Sequence, residues 1–252
     1  MDTSEVRISG VELTPERYLE FAEKDLEDGT TRGLVNSFGN SKRCTHLLID
    51  ELLWQYGLLA RNKKMSFPMR LDMLGDLGIL SSRILRRLNV QRNVMEHEYV
   101  APTVEVTQDA VDVAGLLVLA SSTLRRRVIC EAVVGDVQTQ SHFLMSIDRS
   151  SGDLEFREIS APADRFLETN GVRRFGGHVR SPGGKPIDGV SISDECTKRV
   201  SLTASNKTEW GPMLDVLMDI QQSVSYHDTP FIGFPINGTT YGKVLRWFDG
   251  ES

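Results

Sequence analysis

At 252 residues the chain is long enough to bury a core in one large domain or in two of ordinary size. Apolar residues make up 40% and charged residues 25%, the balance of a globular protein, and no apolar run is long enough to span a bilayer. The net charge of -6 excludes indiscriminate binding of phosphate backbones by the whole surface and leaves only local basic patches: Arg83, Arg86, Arg87 and Arg92 in one segment, Arg125-Arg126-Arg127 in another.

The polar, acidic opening Met1-Asp2-Thr3-Ser4-Glu5 has no signal-peptide pattern, so a cytoplasmic protein without membrane partners is expected. Cys44, Cys130 and Cys196 are widely separated and odd in number, which suggests buried thiols rather than a disulfide framework or a metal site.

The first half reads as helical. Thr14-Pro15-Glu16 combines a capping hydroxyl, a proline where its missing N–H costs nothing and an acid at the positive helix end, so a helix is predicted from there to about Asp28. From Asn40 to Leu59, Cys44, Leu48, Leu52, Tyr56 and Leu59 recur at helical spacing, with an end near Gly57 and a basic loop Arg61-Asn62-Lys63-Lys64 after it. A short helix from Pro68 to about Leu77 follows, stopped by Gly78. Ser81 can cap the next, whose apolar face is Ile84, Leu85 and Leu88. Beyond Pro102 a long helix is expected with Val106, Ala110, Val113, Leu117, Ala120 and Leu124 as its apolar stripe.

Near Arg125 the character of the sequence changes. Strands are predicted over residues 128–137, 142–147 and 154–159, the last two joined by Asp148-Arg149-Ser150-Ser151-Gly152-Asp153. Short strands and loops continue to about Ala204, and a helix over residues 208–224 carries Trp210, Met213, Leu214, Leu217 and Ile220. A closing hairpin turns at Asn237-Gly238, between residues 231–234 and 241–245. The expected class is α+β, with a helical domain over 1–124 and a strand-rich α+β domain over 125–252.

The motifs of the common hydrolases, zinc proteases and P-loop enzymes (GxSxG, HExxH, GxxxxGK[ST]) do not occur in the sequence. Gly183-Gly184-Lys185 reads as a turn, and Arg125-Arg126-Arg127 suits the negative end of the preceding helix. His46 reads as a packed or half-exposed residue. Trp210, Trp247, Phe231 and Phe234 read as core.

One stretch stands apart, Leu85 to Tyr99, LRRLNVQRNVMEHEY. Helical spacing alone makes Arg92 and Glu96 an ion pair one turn apart on a solvated face, with Asn93 and His97 paired on the next. The segment from Phe67 to Pro102, however, resembles the HEPN domain, a helical-bundle family that includes many ribonucleases, several of them toxins or antiviral effectors. In that family an arginine, a polar residue that is most often asparagine, a short spacer and a histidine stand at the start of a late helix; here these are Arg92, Asn93 and His97. The resemblance extends over residues 40–124, with 40–59 in the place of the first core helix and 104–124 in that of the last.

The resemblance implies a metal-independent endoribonuclease acting through the 2′-hydroxyl of RNA, with no cofactor. His97 would serve as base or acid, Arg92 would hold the phosphoryl oxygens, and Asn93 would orient the ring or contact substrate. Arg86, Arg87 and Tyr99 would contact RNA, the arginines offsetting Glu96 and Glu98 beside the histidine. A homodimer through the helical domain would bring two copies of Arg92 and His97 into one cleft, and an antitoxin or regulator is a further expected partner. The other reading is a non-catalytic HEPN-like dimerisation scaffold serving a C-terminal binding or sensing domain.

Overall fold

The computed structural model describes residues 12–62, 64–76, 90, 100–126, 131–136, 141–169, 172–175, 189–211, 213–214, 234–236 and 239–246. The architecture is α+β, with helices and an antiparallel sheet. The chain divides into two compact units: Glu5–Gln55 and Lys64–Arg126 belong to the helical one, Tyr56–Lys63 and the chain from Arg127 onward to the strand-rich one.

The helical unit contains α1 (Pro15–Glu27), α2 (Thr31–Gln55), α3 (Phe67–Asp76) and α4 (Val104–Arg126). Thr14 caps α1 as its sequence demands: its backbone is extended, Pro15 follows, and its hydroxyl accepts from the Arg17 amide at 3.2 Å. After the short connection at 28–30, the Thr30 hydroxyl accepts from the Gly33 amide at 3.0 Å and starts α2, so that α1 and α2 form an αα-hairpin.

α2 begins nine residues before the expected Asn40. Gly33, Ser37 and Gly39, ahead of the expected start, have low helix propensity, but the α1–α2 crossing selects Gly33 and Ser37. A Cβ on Gly33 would stand 2.5 Å from the Asp25 carbonyl oxygen, the Ser37 hydroxyl donates to the Ala22 carbonyl at 2.7 Å, and Asn40 donates to Asp25 at 2.8 Å. Tertiary contact overrides propensity here. Behind the crossing, Cys44, Leu48, Ile49, Leu52, Leu71, Leu74 and Ala114 are fully buried, and each large side chain contributes about 1.5–3 kcal/mol by leaving water.

α4 packs against α1 and α2. Its buried face runs through Thr107, Ala110, Val111, Ala114 and Ser121, rotated from the expected stripe: Ala110 and Val113 are buried, Val106 and Leu117 half-buried, and Ala120 exposed. Small residues line the packed side, which lets the helices approach closely, and larger leucines are left outside.

In the strand-rich unit, β1 (Glu131–Asp136), β2 (His142–Asp148), β3 (Asp153–Ser160), β6 (Ser191–Ile192), β7 (Lys198–Ser201), β8 (Phe234–Ile236) and β9 (Thr239–Arg246) form one antiparallel sheet in the order β6-β3-β2-β1-β9-β8, with β7 also on β3. β4 (Phe166–Thr169) and β5 (Val172–Phe175) form a separate hairpin. The 148–153 turn falls where the sequence places it, with Asp148 opposite Asp153. Ile236 stands opposite Thr239, leaving the expected Asn237-Gly238 between the closing strands; those two residues lie outside the described ones. One face of β2, β3 and β7 carries Met145, Ile147, Leu154, Phe156 and Val200, all buried. Trp210, Met213 and Leu214, in a helical stretch described over 207–211 and 213–214, are buried in the same unit. Among the described residues no helix is long and apolar enough to cross a membrane.

Candidate functional site

Arg92, Asn93, His97, Arg86, Arg87 and Tyr99 all lie outside the described residues, as do the Ser81 cap and the helix expected after it. The described part of the helical unit is the frame on either side of them. α3 ends at Asp76 and α4 starts at Val104, so the motif falls in the connection between these two helices.

The entry to that connection is fixed on α2. The His46 ring stacks on Phe67, the first residue of α3, with centroids 3.8 Å apart and planes 13° from parallel. The Arg70 guanidinium pairs with Asp50 and donates from Nε to the Met65 carbonyl at 3.2 Å. An aromatic stack and a part-buried ion pair thus hold the start of α3 against the second half of α2. The exit is fixed by Thr103, whose hydroxyl accepts from the Val106 amide at 3.2 Å and caps α4. Histidine 46 is therefore a packing residue, as its isolation in the sequence suggested.

Polar groups in the strand-rich unit gather in two places. At the β2–β3 turn, Asp148 accepts from the Ser150 hydroxyl at 2.6 Å, the Ser150 amide at 2.9 Å and the Ser151 amide at 3.3 Å. These bonds, led by that of the Ser150 hydroxyl, favour the ionised carboxylate and lower its pKa to about 2. Next to it, Asp153 is nearly inaccessible and receives both Nε and Nη2 of Arg61. Burial pushes that carboxyl up, but hydrogen bonds from Arg61, Ser201 and Ser151, with the Arg61 charge, outweigh it, and the group sits below the usual aspartate value.

The second place is a polar row running across the sheet. By strand register Arg246 in β9, Glu131 in β1, Ser146 in β2, Glu155 in β3 and Arg199 in β7 stand in one transverse line. Arg199 donates to Glu155 at 2.5 Å, and Arg157 on the same strand donates to its other oxygen at 3.2 Å. The Glu155 carboxylate keeps Arg199 above the usual arginine value. One mostly buried carboxylate thus holds two guanidiniums, a cross-strand arrangement that fixes register.

Sequence reading missed both the Arg61–Asp153 pair and the Glu155 row, since partners 92 and 44 residues apart leave no local spacing to read. His142 is buried in β2; Cys44 is buried, while Cys196 is only half-buried and donates its thiol to the Lys198 carbonyl at 3.0 Å. Cys130, His178, His227, Trp247 and the Gly183-Gly184-Lys185 turn lie outside the described residues. Among the described residues no group of three or more His, Cys, Asp or Glu side chains is placed to hold a metal ion. Compared with family models, with curated proteins and with solved structures, the chain matches none.

Proposed function

We propose that the helical unit is a HEPN-like bundle that cleaves RNA as a metal-independent endoribonuclease. The observation that carries this reading is the Arg92-Asn93-x-x-x-His97 spacing in the connection between α3 and α4. The packed helices α2, α3 and α4, in the chain order the resemblance implies, support it.

RNA supplies its own nucleophile. His97 takes the proton of the 2′-hydroxyl, the oxygen attacks the adjacent phosphorus, and the P–O5′ bond breaks to leave a 2′,3′-cyclic phosphate and a 5′-hydroxyl. The leaving oxygen needs a proton as it departs, which the imidazolium of a second His97 provides when two copies share a cleft. Arg92 stabilises the charge that develops on the phosphoryl oxygens, Asn93 orients the ring, and Arg86, Arg87 and Tyr99 hold the strand. The strand-rich unit selects the substrate, trigger or regulator.

The test is RNA cleavage in EDTA by wild type and by His97→Ala and Arg92→Ala. Loss of roughly 10²–10⁴-fold in each variant, with cyclic phosphate ends in the wild-type product, is expected. Equal cleavage by His97→Ala, or none by a folded, dimeric wild type, overturns the reading and leaves the scaffold role.

A further inference from the structure

The outward side of α2 carries residues that packing does not select. Positions 32, 36, 39, 43, 46 and 50 recur at alternating steps of four and three and mark one line along the helix, occupied by Arg32, Asn36, Gly39, Arg43, His46 and Asp50. The last two meet the start of α3, through the His46–Phe67 stack and the Asp50–Arg70 pair. Along the rest of the line Arg32, Asn36 and Arg43 are exposed, with Lys42 half-buried beside them. From Thr31 to Ile49 the helix holds these three cations and no carboxylate, in a chain of net charge -6. At the neighbouring hairpin, Asp25 and Asp28 accept from Asn40 at 2.8 Å and from the Thr30 hydroxyl at 2.7 Å.

Gly39 is the telling member of the line. A helix interior disfavours glycine, and Gly33 is kept because a Cβ there would stand 2.5 Å from a carbonyl oxygen. At Gly39 the one described atom within 4 Å of a Cβ would be Arg43 Nη1, at 3.7 Å, an ordinary contact. A larger residue would fit and would strengthen the helix, so nothing among the described residues selects glycine. Glycine suits a place where a ligand comes close to the backbone.

We infer that this line is a track for the phosphate backbone of an RNA strand, which lies over Gly39 with Arg32 and Arg43 on its phosphates and Asn36 donating between them. A guanidinium fork binds two phosphoryl oxygens at once, and asparagine is a common further donor to phosphate. In RNA the charge is part of the strand itself, so the strand must come close and the gap at Gly39 admits it. Carboxylates of an acidic protein reach out on side chains and need no gap. From Arg32 to Arg43 the track is about 17 Å long at 1.5 Å per residue, room for about five phosphates of a stacked strand at one per 3.4 Å. Its far end is the start of α3, the helix that precedes the Arg92-Asn93-x-x-x-His97 connection. The choice of RNA rests on the proposed function; the charge and the gap do not.

The test reads binding and not cleavage, so either can fail alone. Fluorescence anisotropy of a labelled oligouridylate of about ten nucleotides, within the range of single-strand sites, is followed against salt with the full-length His97→Ala chain as parent. Arg32→Ala and Arg43→Ala should each weaken binding by about three- to ten-fold and lower the salt slope by about 0.7. Gly39→Gln adds bulk without charge: it should weaken binding by about ten-fold at an unchanged slope while raising Tm by about 2–4 °C. No binding by the parent at low salt, arginine variants with the affinity and slope of the parent, or a Gly39→Gln chain that binds as tightly as the parent would each overturn the proposal. Polyglutamate that displaces the labelled strand as well as unlabelled oligouridylate does would assign the track to an acidic protein instead.

Discussion

The guanidinium of Arg61 grips the carboxylate of Asp153 with two parallel hydrogen bonds, Nε to Oδ1 at 3.0 Å and Nη2 to Oδ2 at 2.7 Å, across 92 residues of chain. The partners are unequal in exposure, 38% for the arginine side chain and 3% for the aspartate. Removing the arginine takes the counter-charge and two hydrogen bonds from a nearly inaccessible carboxylate that keeps only hydroxyl partners such as Ser201, whereas removing the aspartate frees a guanidinium that can turn outward. Arg61→Ala should therefore cost more, about 2–4 kcal/mol, than Asp153→Ala. Denaturant unfolding of the two single variants and the double variant gives the coupling, expected at 1 kcal/mol or above. Additive losses would mean that the two charges do not depend on each other.

Asp148 predicts a pH dependence with a definite sign. Its carboxyl has an ordinary value of 3.8 and lies at about 2 in the folded chain, so the folded state favours the ionised form. The contribution is complete above about pH 4 and is lost as pH falls toward 2. Because the turn is open to solvent, the screened contribution is on the order of 1 kcal/mol. Carboxyl-carbon NMR should place the Asp148 midpoint near 2, and Ser150→Ala should move it up. A midpoint at the ordinary value in the folded protein would remove the Asp148 turn as a source of acid sensitivity.

Local signals in the sequence carried the elements whose causes are local. The Thr14-Pro15 start, the short helix ahead of Gly78 and the strands around 148–153 each depend on residues within a few positions of one another. α2 was legible only from Asn40 because Gly33 and Ser37 are there to let α1 come close, a reason that exists only once the hairpin has formed. The buried face of α4 is rotated from the expected stripe for the same reason: periodicity finds a face but not the neighbour it meets. The basic run at 61–64 looked like a solvated loop, yet Arg61 and Asn62 are anchored in the strand-rich unit. The motif of the candidate site was legible as a spacing, and its geometry lies beyond what spacing conveys.

Gly57 ends α2 in a left-handed conformation, with φ of 72°, where a Cβ would stand 2.8 Å from Ile147 Cγ2 and 2.9 Å from Leu202 Cδ1. Two independent costs meet at one substitution. The backbone term is about 1 kcal/mol and the overpacking of a filled core adds about 1–3 kcal/mol. Gly57→Ala should lower stability by about 2–4 kcal/mol, and Gly57→Ala in a Leu202→Ala background should cost measurably less on top of that change. Equal increments in both backgrounds would show that the Leu202 side chain does not set the packing limit.

The strand-rich unit should not fold when cut from the chain at residue 127. Its core includes Tyr56, 3% exposed, and Leu58, buried completely, both from the segment that follows α2. Asn62 donates to the Leu58 carbonyl at 2.7 Å and the Leu202 carbonyl at 2.8 Å, and accepts from the Ala204 amide at 3.3 Å. Losing the segment removes two buried side chains at about 1.5–3 kcal/mol each and leaves buried backbone groups near Leu202 without partners at about 1–3 kcal/mol. It also takes the Arg61 counter-charge from the nearly inaccessible Asp153 carboxylate. These losses are on the scale of the whole net stability of a domain, about 5–15 kcal/mol. A fragment of residues 127–252 should show no cooperative unfolding transition, and joining residues 54–64 to its start through a flexible linker should restore one. Cooperative unfolding of the bare fragment, at the stability it has within the full chain, would show that Tyr56–Lys63 rests on a unit complete without it.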